Sequence, residues 1–216
     1  MAYVKTARDA WRELPLGVTH NFRGKRIVKD RKMLLVMPTH AELEEILYRH
    51  LHSLGLVTHS GVIVAFPAAK HFREFQQAAE GVRVRGPASV NPGAVGTLSF
   101  MLKSTGGTNP QAGIEVFYAQ SHFKTTGDLP LSRTLATHYG GWRQRAWSEI
   151  LQLASKHGLK VVLPSRGTMA NPALNEVVAL SNRMGFKFIP GDPFNLYSQA
   201  TLRPASFKDD FDKHGD

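Results

Sequence analysis

The sequence predicts an α/β fold with a mixed, mostly antiparallel central sheet flanked by helices. Short apolar runs bounded by Gly and Pro, MLLVMP at 33–38, GVIVAFP at 61–67 and LKVVLPS at 159–165, alternate with stretches of helical spacing. TLSFMLK (97–103) and IEVFYAQSHF (114–123) flank the polar turn STGGTNPQAG (104–113), the pattern of two antiparallel strands joined by a long hairpin loop. A hydrophobic share of 42% over 216 residues suffices for one domain with a sizeable core. The organisation expected is a basic segment over 1–32, a single α/β domain over 33–205 and a flexible tail over 206–216.

Residues 3–14 place Val4, Ala7, Ala10, Trp11 and Leu14 near one helical face, and Pro15 and Gly17 end that helix. Thr39 caps a second helix, running to about Leu54, with Glu42 in the reciprocal capping-box position. Residues 68–80 return to helical spacing, and the Gly- and Pro-rich stretch 83–96 reads as a loop. The longest helical pattern, from Gly141 to His157, carries Trp142, Ala146, Ile150, Leu153 and Ala154 as its apolar stripe. Asn171 and Pro172 open a last helix that Gly185 ends. KFIPG and FNLYSQATL supply closing strands.

The absence of Cys excludes disulfides, a thiolate nucleophile and Cys-ligated metal sites. The 27 Lys and Arg against 17 Asp and Glu give a formal charge of +10, which favours an anionic partner: coenzyme A phosphates, nucleic acid or an acidic protein surface. No apolar run approaches the roughly 20 residues of a membrane span, and the first residues lack the apolar core of a secretory signal. The expected location is the cytoplasm or a particle assembled there. The densest basic cluster, RGKRIVKDRK, reads either as a solvated surface or as a nucleic-acid contact through Arg23, Lys25, Arg26, Lys29, Arg31 and Lys32. His50 and His52 stand two apart, on different helix faces, and no metal-ligand spacing is found. Neither G-x-S-x-G nor a P-loop is present, against serine hydrolysis and nucleotide hydrolysis.

From residue 114 the order is strand, long helix, strand, helix ending in Gly185-Phe186, strand. With LNEVVALSNRMGFKFIP it resembles the C-terminal half of the GNAT acyltransferase superfamily. The resemblance implies acetyl-coenzyme A as cofactor, its pantetheine arm on the splayed edge of IEVFYAQSHF and its pyrophosphate at the following helix N-terminus, where free amides and the helix dipole favour an anion. On this chain that assigns Gln120 and Ser121 to the strand edge and Gly140, Gly141, Trp142, Arg143 and Arg145 to the cofactor. Trp142 and Ala146 fit a core stripe equally well. The family's Q/R-x-x-G-x-G/A signature is absent, and Ser181 stands near the place of its acid tyrosine. Acyl transfer to an amine needs a base and an acid, for which Glu115, His122 and Tyr197 are the candidates. Loss of those signatures fits a second expectation, a non-catalytic GNAT-like structural or nucleic-acid-associated protein such as a phage particle component.

Overall fold

The computed structural model describes residues 2–17, 19–45, 59–82, 93–105, 111–162, 178–189 and 192–198. Among these the chain forms α1 (Ala2–Glu13), β1 (Thr19–Phe22), β2 (Lys25–Lys29), β3 (Met33–Met37), α2 (40–45), β4 (His59–Pro67), a 3-10 turn (Ala69–His71) and α3 (Phe72–Ala78). The second half continues with β5 (Gly96–Thr105), β6 (Gln111–Ser121), α4 (Arg133–His138), α5 (Trp142–Lys156), β7 (Lys160–Val162), α6 (178–183), β8 (Lys187–Ile189) and β9 (Asp192–Tyr197). The nine strands lie in the order β1-β2-β3-β4-β5-β6-β7-β9-β8. Every neighbouring pair is antiparallel except β6 and β7, which the α5 crossover makes parallel. The mixed, mostly antiparallel sheet flanked by helices is the expected fold class.

Period-two alternation sends each strand's side chains to two faces, and each face has its own helical cover. Leu34, Val36, Val62, Val64 and Phe66 pack with Ala7 and Ala10 of α1. Leu35, Ile63, Leu98, Phe100 and Val116 pack instead with Trp142, Ala146 and Ile150 of α5. Leu34, Phe66, Phe100 and Ile150 are all 1% exposed or less, and each such side chain contributes about 1.5–3 kcal/mol over leaving it in water. The sheet is thus sandwiched, with α5 covering β4 to β7 and α1 covering the β2 to β4 side.

Thr39 caps α2 as expected: its Oγ1 accepts from the Glu42 amide at 3.1 Å, and Glu42 Oε2 accepts from the Thr39 amide at 3.2 Å. Three expectations need correction. Residues 1–32 are no separate segment, because α1 covers the sheet and the β1–β2 hairpin extends it through four residue pairs between β2 and β3. The hairpin turns at Arg23-Gly24, both with positive φ (50° and 70°), as a tight two-residue turn requires. The expected turn 104–113 is narrower, since β5 and β6 stay paired to Thr105 and Gln111. The connection from β6 to α5 contains α4, capped by Ser132, whose Oγ accepts from the Leu135 amide. The expected helix over 46–54, most of the loop 83–96, the Asn171–Pro172 helix start and the tail lie outside the described residues.

Candidate functional site

Strand β6 is paired along its whole length on one side and, among the described residues, along only part of it on the other. On the β5 side the ladder runs from Gln111 to Ser121, interrupted where Ser99 faces Tyr118 and Phe100 faces Val116. Phe117 is therefore the extra residue of a β-bulge, which bends the strand and leaves it out of ladder register. On the other side, β7 pairs only with Gly113, Ile114 and Glu115. Beyond Glu115, β6 runs on to Ser121 with no described strand on that edge. Peptide groups on such an edge are open to a ligand that supplies complementary donors and acceptors.

The start of α5 stands beside this open edge. Ser121 Oγ accepts from Trp142 Nε1 at 3.4 Å and from Arg143 NH2 at 3.2 Å, so the end of β6 and the first turn of α5 are fastened together. Gly141 is the N-cap and supplies no side-chain cap; the Trp142 amide donates to Tyr139 O at 3.1 Å. Gly140 and Gly141 are exposed, and a Cβ at Gly141 would meet nothing within 4 Å. The site thus combines a strand edge that no described strand covers, a helix N-terminus and the exposed Arg143 guanidinium.

Within the expected cofactor set, Ser121, Gly140, Gly141, Trp142 and Arg143 come together, and Gln120 opposes Thr97 next to them. Two members are spent elsewhere. Trp142 is 1% exposed with its ring lying over Gly96, where a Cβ would come within 2.2 Å of it, so it belongs to the core stripe. Arg145 is ion-paired with Asp30 in the β2–β3 turn, and burial lowers its pKa from the ordinary value.

The three catalytic candidates do not converge. His122 is 2% exposed; its Nε2 is hydrogen-bonded to Thr97 Oγ1 at 3.0 Å and its amide donates to Val95 O, fixing the ring at the open end. Glu115 sits near the middle of β6, seven residues and roughly 20 Å away along the strand. Tyr197 pairs across from Lys187, next to the β7 start and on the same closed end as Glu115. All three lie on the face opposite α5, as their apolar neighbours Ile114, Val116 and Leu196 belong to the α5 side. Ser99, for which the sequence carries no signal, shares that face beside the bulge. It is 4% exposed and its hydroxyl makes no hydrogen bond. Tyr139 has no sequence signal either: fully buried, it accepts from the Ala68 amide through its hydroxyl at 3.0 Å, and burial raises its pKa.

The basic cluster is dismantled by the fold. Arg23 pairs with Asp9, Lys25 with Glu42 at 3.2 Å, and Arg26 with Glu149. Lys29 is 5% exposed and donates to the carbonyls of Ala10, Trp11 and Leu14 at 3.2, 2.8 and 2.5 Å, neutralising the C-terminal end of α1. Only Arg31 and Lys32 of the six expected nucleic-acid contacts are exposed without a side-chain partner. No group of three or more His, Cys, Asp or Glu that could hold a metal ion occurs among the described residues, and no described helix is long and apolar enough to cross a membrane. Comparison of the chain with known protein families, with curated proteins and with solved structures finds no match.

Proposed function

We propose that this protein is a GNAT-like acyltransferase that uses acetyl-coenzyme A at the open edge of β6 to acylate an amine. The observation that carries the reading is the β6 edge beyond Glu115, beside which no described strand runs, bulged at Phe117 and leading to the α5 N-terminus. An extended amide-bearing arm fits the former by adding its own donors and acceptors to the ladder, and a pyrophosphate fits the latter. Arg143, exposed and oriented by Ser121, supplies the cationic contact; Gly140 and Gly141 leave room for the phosphates to approach. The cofactor supplies an acyl group activated as a thioester. His122 is the base candidate nearest that edge, held in place by Thr97. Glu115 and Tyr197 stand at the far end of the same face.

A second reading, a GNAT-like domain without catalysis that serves as a structural or nucleic-acid-associated component, is favoured by one observation: the base and acid candidates do not share a site. Titration calorimetry with acetyl-coenzyme A tests the first reading. Saturable 1:1 binding is expected, with Arg143→Ala losing a charge-assisted contact worth about 1.5–3 kcal/mol, a fall in affinity of about tenfold or more. Arg145→Ala, which frees Asp30 instead, leaves affinity within about twofold. Absence of binding at millimolar cofactor removes the acyltransferase reading. Binding without turnover of any amine supports the second.

A further inference from the structure

The chain carries a charge of +10, yet many of its described cations are cancelled where they stand. Arg23, Lys25, Arg26, Arg145 and Lys156 are ion-paired, and Lys29 is buried against α1. The excess charge that remains is unevenly placed. Strands β2, β4 and β6 all end at the same side of the sheet, where β3 and β5 begin. On the segments leaving that side stand Arg31 and Lys32 (β2–β3 turn), Lys70 and Arg73 (after β4), Lys124 (after β6) and Arg133 (opening α4). All six are exposed, and none forms an ion pair with a described residue. The contacts between these segments hold them as one rim: the Lys124 amide donates to Ala78 O at the end of α3, the Leu131 amide to Lys124 O, and the Ala68 amide to Tyr139 Oη. Acids on the same rim are fewer. Asp30 is taken by Arg145 and Glu74 lies 3.7 Å from His71, which leaves Glu80, Asp128 and, where β9 begins, Asp192.

We infer that this rim, which keeps only Arg31 and Lys32 of the 23–32 cluster, is a contact surface for the phosphodiester backbone of a nucleic acid. A protein partner would call for an apolar centre inside a polar ring. Among the described residues the large exposed hydrophobics are Leu16, Leu129 and Phe188, which do not make one. Separated cations on short rigid segments instead suit a polyanion with regularly spaced charges, for which affinity comes from displaced counterions. The rim is a positioning surface and carries no base readout. Its use does not depend on whether the β6 edge takes an acyl thioester, and Arg143 is left out of its test for that reason.

The test is fluorescence anisotropy of labelled 20-nucleotide single-stranded and duplex DNA against the full chain, across about 50–200 mM salt. The variant Arg31→Gln/Lys32→Gln/Arg73→Gln is compared with Lys160→Gln/Arg183→Gln/Lys187→Gln, which removes the same charge from the opposite side, where β7 and β8 begin. Circular dichroism confirms that both fold. The rim variant is expected to flatten the log–log salt slope by about 2–3 and to weaken binding at least tenfold at low salt, since each lost phosphate contact removes about 0.9 from the slope. The control is expected to stay within about threefold of the wild type. Equal weakening in the two variants would overturn the inference, because it would show an effect of net charge alone. So would a wild type that binds neither DNA form, or one from which polyglutamate displaces DNA as well as unlabelled DNA does.

Discussion

The two ends of the sheet are built on opposite principles. At the end where β2, β4 and β6 leave their turns or loops to begin, charges are cross-linked: Lys25 to Glu42, Arg26 to Glu149, Lys156 to Glu44. There β6 is also paired on both sides, with β5 and β7. At the other end β6 has one partner among the described strands, α5 begins without a side-chain cap, and exposed cations form no ion pair with a described residue. The fold, by spending some charges inside, decides which of them remain for binding. The closed end holds the molecule together, and the open end is where amides and cations are left over.

The sharpest way to break this comparison is at the closed end. Glu149 is 9% exposed, so Arg26→Met leaves a carboxylate inside the protein without its guanidinium and should cost about 3–5 kcal/mol in urea unfolding. Arg26→Met/Glu149→Leu should recover most of that loss, since a matched apolar pair replaces both charges. At the open end, Arg143→Met should change stability by no more than about 0.5 kcal/mol. If Arg143→Met proved as damaging as Arg26→Met, the division of labour between the ends would fail.

Lys29 offers a smaller effect of the same kind. It lies in the sequence cluster expected to face a partner but serves the interior, closing three carbonyls of α1 and lying 4.9 Å from the Trp11 ring. Lys29→Met keeps the packing and leaves those carbonyls without the ammonium, for an expected loss of about 1–3 kcal/mol. Its DNA affinity should follow the wild type's once the folded fraction is accounted for. A fall in affinity without a fall in stability would return Lys29 to the binding surface.

These cases show what the sequence could and could not disclose. Strands β3, β4 and the β5–β6 hairpin were legible because a buried strand must be apolar along its length or in alternation, and helix α5 because its stripe repeats at helical spacing. The β1–β2 hairpin was hidden by charge. Its alternation is weak, with Ile27 its one fully buried apolar residue, and it forms by pairing with β3. Helix α4 is short and has no buried side chain, so only its Ser132 cap could have announced it. Within the site, Ser121 and Arg143 stand together, as the end of one strand and the start of the helix that follows it. Asp30 as the partner of Arg145, Glu149 as the partner of Arg26, and Gly96 beneath Trp142 are tertiary facts with no local signature. Ser99 was invisible for a related reason: a serine within a strand reads as solvent-facing until the fold buries it.

The smallest expected effect concerns protons at the closed end. His40 and His157 stand with ring centroids 6.0 Å apart between α2 and the end of α5, with Lys156 Nζ 3.2 Å from His40 Nδ1 and 2.9 Å from Glu44 Oε1. Burial lowers the pKa of His40 from its ordinary 6.5, helped by the positive charges of Arg26, Lys156 and His157 and opposed by Glu44. Burial also lowers that of His157, against the pull of Glu44. The folded protein therefore binds fewer protons than the unfolded chain once the pH falls below about 6.5, and stability must decline from there toward the folded-state values. Above that window neither ring is charged in either state, and the profile is flat. Glu44, whose pKa is lowered by its hydrogen bond from Lys156, adds a loss in the same direction only in the acid range around and below its ordinary 4.5. Urea midpoints at pH 7.5 and 5.5 should thus differ in the wild type, with the lower value at pH 5.5, and converge in His40→Gln/His157→Gln. A pH difference undiminished in the double variant would place the responsible groups elsewhere and leave the closed end without a part in acid sensitivity.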